Sequence, residues 1–119
     1  MTSSYNTNNI FAKIIRNEVP CEVFFENDYI KAFQDIAPEA PIHLLMIPKG
    51  PYRDFYHFMS EGQEQEKAGF FRGVTQVIQK LGLEAGGYRL VTNAGNSAGQ
   101  TVYHFHLHLL AGKELSSLA

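Results

Sequence analysis

His104, His106 and His108 occupy every second position of the stretch Val102-Tyr103-His104-Phe105-His106-Leu107-His108-Leu109-Leu110, and they are three of the five histidines in a chain of 119 residues. Strict alternation of this kind, rich in aromatic and aliphatic residues, predicts a strand. Successive side chains on a strand point to opposite faces. The three imidazoles therefore share one face, while Tyr103, Phe105, Leu107 and Leu109 share the other. The apolar face packs on a core; the imidazole face admits three explanations. The first is a solvated polar row, which three aligned histidines make a poor choice. The second is a metal site. Same-face neighbours lie roughly 6.6 Å apart on a strand, so two of them can converge on a zinc ion with bonds of about 2 Å, but a straight strand does not bring all three together. The third is phosphoryl chemistry, in which one imidazole attacks phosphorus, another donates to phosphate oxygens and a third relays a proton.

Phosphoryl chemistry ranks first because of the stretch just upstream, Asn93-Ala94-Gly95-Asn96-Ser97-Ala98-Gly99-Gln100-Thr101. Glycines let backbone N–H groups approach an anion, and Asn, Ser and Thr add neutral donors. No Gly-Lys-Ser/Thr follows, so this is not a P-loop. Taken alone it reads as a connection between two strands; beside three aligned histidines it reads as a phosphate cradle.

The pattern His-φ-His-φ-His-φ-φ from His104 to Leu110, with φ apolar, resembles the signature of the histidine triad (HIT) superfamily of nucleotide hydrolases and transferases. The resemblance runs from Ile10 to Gly112. Ile10–Arg16, Ala32–Ile36, Ala40–His43 and Gly99–His104 look like the histidine triad nucleotide-binding branch, the purine nucleoside phosphoramidases. It implies that His106 is the nucleophile, that His108 contacts the phosphate oxygens and the scissile bridge, and that His104 and His43 support the nucleophile and a proton relay. It implies phosphate and leaving-group contacts from Asn93, Gly99, Gln100 and Thr101, ribose contacts from Asp35, and an apolar base wall of Ile10, Phe11, Ile14, Val19, Phe33 and Ile36. The residues alone give Asp35 a second reading, as a turn former before Ile36-Ala37-Pro38. Gly-Gln-Thr-Val is also a feature of the dinucleoside polyphosphate hydrolase branch, which makes that activity the alternative; a nucleotide-binding regulatory protein with incidental catalysis is another. Some members bind zinc through a Cys-x-x-Cys pair ahead of the first helix. This chain has one cysteine, Cys21, so no metal and no cofactor are expected, and no internal disulfide can form. The C-terminal segment from Lys113 lacks the family's common aromatic end, which leaves the amine leaving group open.

The elements that must position these residues follow from pattern. Asn8 or Asn9 caps a short helix over 10–16 with Ile10, Phe11, Ile14 and Ile15 on its buried side. Strands are expected at 22–26 and 29–34 around an Asn27-Asp28 turn, and at 43–47. Residues 52–59 read as irregular or one helical turn. A capping box of Ser60 and Gln63 opens a long helix whose stripe is Phe71, Val74, Ile78 and Leu81, widened by Phe70 and Val77 and stopped at Gly82. Tyr88 to Thr92 and the His stretch supply the last two strands. The resulting fold class is α+β, with one five-stranded antiparallel sheet, one short helix and one long helix. The family resemblance implies the same architecture and a homodimer that joins two sheets. Residues 1–9 form a flexible tail, 10–112 the HIT domain and 113–119 a C-terminal tail. With 45% hydrophobic and 18% charged residues the chain can bury a core, and a net charge of −2 gives no basic surface for bulk nucleic acid. Without a secretory signal or an apolar run of membrane length, it is expected to be soluble and cytoplasmic, its partners being a purine nucleotide and a second copy of itself.

Overall fold

The computed structural model describes residues 5–116. Five strands form one antiparallel sheet: β1 (Val23–Glu26), β2 (Lys31–Gln34), β3 (Ile42–Ile47), β4 (Arg89–Val91) and β5 (Leu107–Ala111), in the order β1-β2-β3-β5-β4. Three helices accompany it: α1 (Ile10–Ile15), α2 (Phe55–Glu61) and α3 (Glu64–Lys80). The unbroken apolar run of β3 makes it the central strand, buried from His43 to Ile47. Its side chains alternate between two cores. Leu44 and Met46 join Phe70, Val74, Val77 and Ile78 of α3 on one face, whereas Leu45 and Ile47 join Phe11 and Ile14 of α1 on the other.

Helix α1 starts where Asn9 accepts the Ala12 backbone N–H at 2.9 Å, as expected of an N-cap. Its buried side is Phe11, Ala12 and Ile14; Ile10 is 40% exposed, against expectation, because it stands on the rim of a cavity rather than over the sheet. At the C-terminal end, the buried Lys31 ammonium donates to the Ile14 carbonyl at 3.0 Å and to Asn17 Oδ1 at 3.2 Å. The same Ile14 carbonyl accepts the Asn17 N–H at 3.0 Å, so the ammonium takes up its second lone pair.

Three expectations about the elements are corrected. Residues 55–61 form a helix, capped by Asp54, which accepts the His57 N–H at 2.8 Å. Phe58 is its one buried residue and stacks on Phe105 at 5.2 Å between centroids; Phe55, Tyr56 and Met59 are exposed, so no stripe marks the helix in the sequence. His57 is half-buried and accepts the Arg53 N–H at 2.9 Å. The capping box of α3 is Gln63 with Glu66, one residue beyond Gly62, and not Ser60 with Gln63. Its inner face centres on Gly69, Phe70, Gly73, Val74, Val77 and Ile78, with Phe71 and Leu81 at the margin. Gly69 and Gly73 are there because α3 touches the chain leading into β2: a Cβ on Gly73 would lie 2.6 Å from Ile30 Cγ2.

The third correction concerns the histidine stretch. Strand β5 begins at Leu107, so His104 and His106 precede it. The backbone there bonds elsewhere: Phe105 N–H donates to the Tyr52 carbonyl at 2.7 Å, and the His106 carbonyl accepts from Thr92 Oγ1 at 2.8 Å. The alternation of faces nevertheless survives, since Phe105, Leu107 and Leu109 enter the α3 core. Of the expected 1–9 tail, residues 1–4 lie outside the described residues, as do 117–119 of the C-terminal tail. Tyr5 to Asn9 are tied down: Asn9 N–H and Nδ2 both donate to the Asn6 carbonyl, and Arg16 donates to the Thr7 carbonyl at 2.9 Å.

Candidate active site

The α1 face of the sheet gathers triad histidines around a cavity. Register places His108 of β5 opposite Leu45 of β3 and Val91 of β4, and His43 opposite Leu110. A cavity of about 500 Å³ opens between this face, α1 and the loop before β5. His106 and His108 border it, with Asp35, Asn93, Gly99, Gln100 and Thr101 on the polar side. The apolar side is Ile10, Phe11, Ile14, Val19, Phe33 and Ile36, with Leu45 and Val102 added by the structure. Ile36 is 99% exposed and forms part of the mouth. His104 and His43 do not line the cavity; each is buried behind one of the histidines that do.

Hydrogen-bond partners assign the imidazole protons. His106 Nδ1 faces the His104 carbonyl at 2.7 Å. A carbonyl only accepts, so Nδ1 carries the proton and Nε2 holds a lone pair. Phe11 packs edge-on against this ring at 5.0 Å. Burial pushes the His106 pKa below the ordinary imidazole value, opposed by the His104 carbonyl and the Asp35 charge, which favour the cation. Behind it, His104 Nε2 donates to the Pro48 carbonyl at 2.9 Å, and Nδ1 accepts from the Tyr5 hydroxyl at 2.6 Å. Burial depresses its pKa to about 4. His104 is thus a neutral, doubly anchored ring and not a proton carrier near neutral pH.

On the other side of His106 stand two more rings in contact, His43 and His108. His43 Nδ1 accepts the Glu39 backbone N–H at 3.0 Å, which leaves the His43 proton on Nε2. That nitrogen lies 3.0 Å from His108 Nδ1 and 3.3 Å from Asp35 Oδ2. His108 therefore accepts at Nδ1 and keeps its own proton on Nε2. Burial first, then the neighbouring His106 and His43, lower its pKa. Asp35 holds the Ala37 N–H at 2.8 Å with Oδ1, so its turn-forming reading holds in the fold. Asp35, His43 and His108 also place one oxygen and two imidazole nitrogens within 4.8 Å of one another, a donor set that suits a divalent transition metal. Strand geometry did not point to that cluster, since only one of its members belongs to the triad.

The cradle is shaped by Gly95 and Gly99, with φ of 85° and 84°, around a 3₁₀ turn at Asn96–Ala98. Gln100 braces it. Its Oε1 accepts the Gly95 N–H at 2.8 Å, and its Nε2 donates to the Arg53 and Val102 carbonyls at 2.7 and 3.0 Å. With both amide protons committed, Gln100 serves loop shape, and the donors left to the cavity are Asn93, Thr101 and backbone N–H groups. Thr92 and Tyr5 each bond to one of these histidines, and sequence reasoning missed both. Neither lies in a motif, and each acts by reaching a histidine distant in the chain.

Comparison with known proteins settles the family. The HIT domain model matches residues 16–115. The chain belongs to the HIT family. An uncharacterized HIT-like protein of Rickettsia prowazekii is 45% identical over 96% of this chain and 95% of its own length. A purine nucleoside phosphoramidase of Escherichia coli is 37% identical over 92% of this chain and 91% of its own. Among solved structures, a histidine triad protein from Clostridium difficile superposes with a TM-score of 0.86 at 30% identity, covering 98% of this chain and all of that one. A HIT family hydrolase from Legionella pneumophila gives 0.83 at 40% identity, covering 92% and 96%. The five-stranded antiparallel sheet is thus the HIT fold.

Proposed function

We propose that this HIT protein is a purine nucleoside phosphoramidase, cleaving the P–N bond of adenosine or guanosine 5′-phosphoramidates through a nucleotidyl-histidine intermediate. The observation that carries this reading is the state of His106: its Nδ1–H is fixed on a carbonyl, and its Nε2 lone pair belongs to a ring that borders the cavity. The name and 37% identity of the Escherichia coli relative support the substrate class.

In the first step His106 Nε2 attacks phosphorus and the P–N bond breaks. The departing amine takes up one proton, and His108, with Nε2–H free of partners among the described residues, is placed beside it. In the second step water attacks the nucleotidyl-histidine, restores the His106 lone pair and gives up one proton. That proton replaces the one the amine removed. Thr101, Asn93 and the backbone around Gly99 hold the phosphate oxygens, Asp35 the ribose hydroxyls, and the apolar wall the purine. His43 orients His108, and His104 orients His106. Gln100 acts through the loop rather than on the phosphate. No step draws on a metal, and dialysis against a chelator leaves turnover unchanged; a loss restored by one divalent ion would assign the Asp35–His43–His108 cluster to that ion.

Thr101, in Gly99-Gln100-Thr101-Val102, favours the second reading, hydrolysis of dinucleoside polyphosphates. A side-by-side assay separates the two: adenosine 5′-phosphoramidate turns over faster than a diadenosine polyphosphate. The reverse preference would overturn the phosphoramidase reading, and tight monophosphate binding without turnover of either would point to a nucleotide sensor. The expected homodimer is supported by the edge position of β4, where Tyr88 and Leu90 stand 43% and 41% exposed.

A further inference from the structure

We propose that Tyr5, ahead of the first helix, is a positioning residue for the nucleophile, acting through His104. The inference rests on the reading of His106 as the attacking group. Tyr5 lies 99 residues before His104, yet its hydroxyl meets His104 Nδ1 at 2.6 Å, and the two rings pack edge-on at 5.7 Å. The direction of this bond is fixed by its neighbour. His104 Nε2 faces the Pro48 carbonyl at 2.9 Å and must donate there, so Nδ1 must accept and the Tyr5 hydroxyl must donate. Burial raises the Tyr5 pKa above its ordinary value, which keeps the phenol protonated.

His104 is wholly buried, and Tyr5 is the only partner of its Nδ1 among the described residues. The segment that holds His104 precedes β5, so no ladder fixes its carbonyl. What fixes it is the ring, clamped between Tyr5 and Pro48, together with the Phe105 N–H on Tyr52. That carbonyl is the acceptor that keeps the His106 proton on Nδ1. The path from tail to nucleophile is therefore Tyr5 hydroxyl, His104 ring, His104 carbonyl, His106 Nδ1. The residues that follow Tyr5 hold it in place, since Asn9 binds back to the Asn6 carbonyl and Arg16 holds the Thr7 carbonyl.

The test is Tyr5→Phe in the full chain, which keeps the ring and removes one oxygen. For adenosine 5′-phosphoramidate, kcat falls about ten-fold while KM and the Kd for AMP stay within about two-fold. The ¹⁵N imidazole signals of His106, which report a proton fixed on Nδ1 in the wild type, move toward a mixture of tautomers. Wild-type kcat and wild-type imidazole signals, with only a lower Tm, would overturn the proposal and leave Tyr5 a stabilising contact. An equal loss in AMP affinity and kcat would overturn it too. His106→Ala run in parallel separates the premises: turnover retained there defeats the nucleophile assignment, whereas a dead His106→Ala beside an unaffected Tyr5→Phe defeats this inference alone.

Discussion

His106 is the residue on which burial and hydrogen bonding pull in opposite directions, and burial dominates. A nucleophilic imidazole must be neutral. With its pKa held below the ordinary value of 6.5, the midpoint of the loss of kcat/KM on acidification lies below that pH. A pH–rate profile checks this; a fall already under way at pH 7.5 would contradict it. His106→Ala lowers turnover by on the order of a thousand-fold or more while AMP still binds, as equilibrium dialysis would show. The residues of this relay differ in how visible they are in the sequence. The triad is legible because its period of two is a local property, and Asp35 and His43 become legible through the family's motifs. Tyr5 and Thr92 are invisible, because they matter through contacts that only the folded chain creates. Gln100 was legible as a loop residue but not as a brace, since its three partners are scattered from Arg53 to Val102.

Elements place these residues by close approach and by backbone conformation. Gly73 lets α3 lie on Ile30, and Gly73→Ala costs about 1–3 kcal/mol of stability, read as a lower urea midpoint at unchanged slope. Gly99 is different. A Cβ there meets nothing within 4 Å, but φ of 84° strains any other residue by about 1–2 kcal/mol. Gly99→Ala therefore acts mainly on the cradle and lowers kcat/KM more than it lowers Tm. The sheet was legible because each strand carries its own period and turn signals. Helix α2 was not, since only Phe58 of its aromatic residues enters the core and tertiary packing, not an apolar stripe, selects it. Strand β5 is shorter than the histidine alternation because alternation of faces does not require ladder hydrogen bonds, and the Phe105 N–H and His106 carbonyl bond to Tyr52 and Thr92 instead.

At the scale of the molecule, the buried histidines tie stability to pH. His104 has a folded pKa of about 4 against an ordinary 6.5. Between these values the unfolded chain binds a proton that the native state refuses, so stability is complete above pH 6.5 and falls as pH drops toward 4. At pH 5 the loss from His104 alone is about 2 kcal/mol, and His106 and His108 add to it with the same sign. Urea titrations at pH 7.5 and 5 measure it; equal midpoints would show that these rings are charged in the fold. The sheet also ends in β4, with Tyr88 and Leu90 uncovered along an unpaired edge. Light scattering is expected to give twice the chain mass, and Leu90→Asp to halve it. No described helix is long and apolar enough to cross a membrane.

Whether His106 attacks phosphorus is decided by the stereochemical course of the reaction. An adenosine phosphoramidate made chiral at phosphorus by sulfur substitution is hydrolysed in ¹⁸O water, and the configuration of the product is read by ³¹P NMR. Attack by His106 followed by attack of water inverts the centre twice, so net retention is expected. Net inversion would mean that water attacks phosphorus directly and that no nucleotidyl-histidine forms.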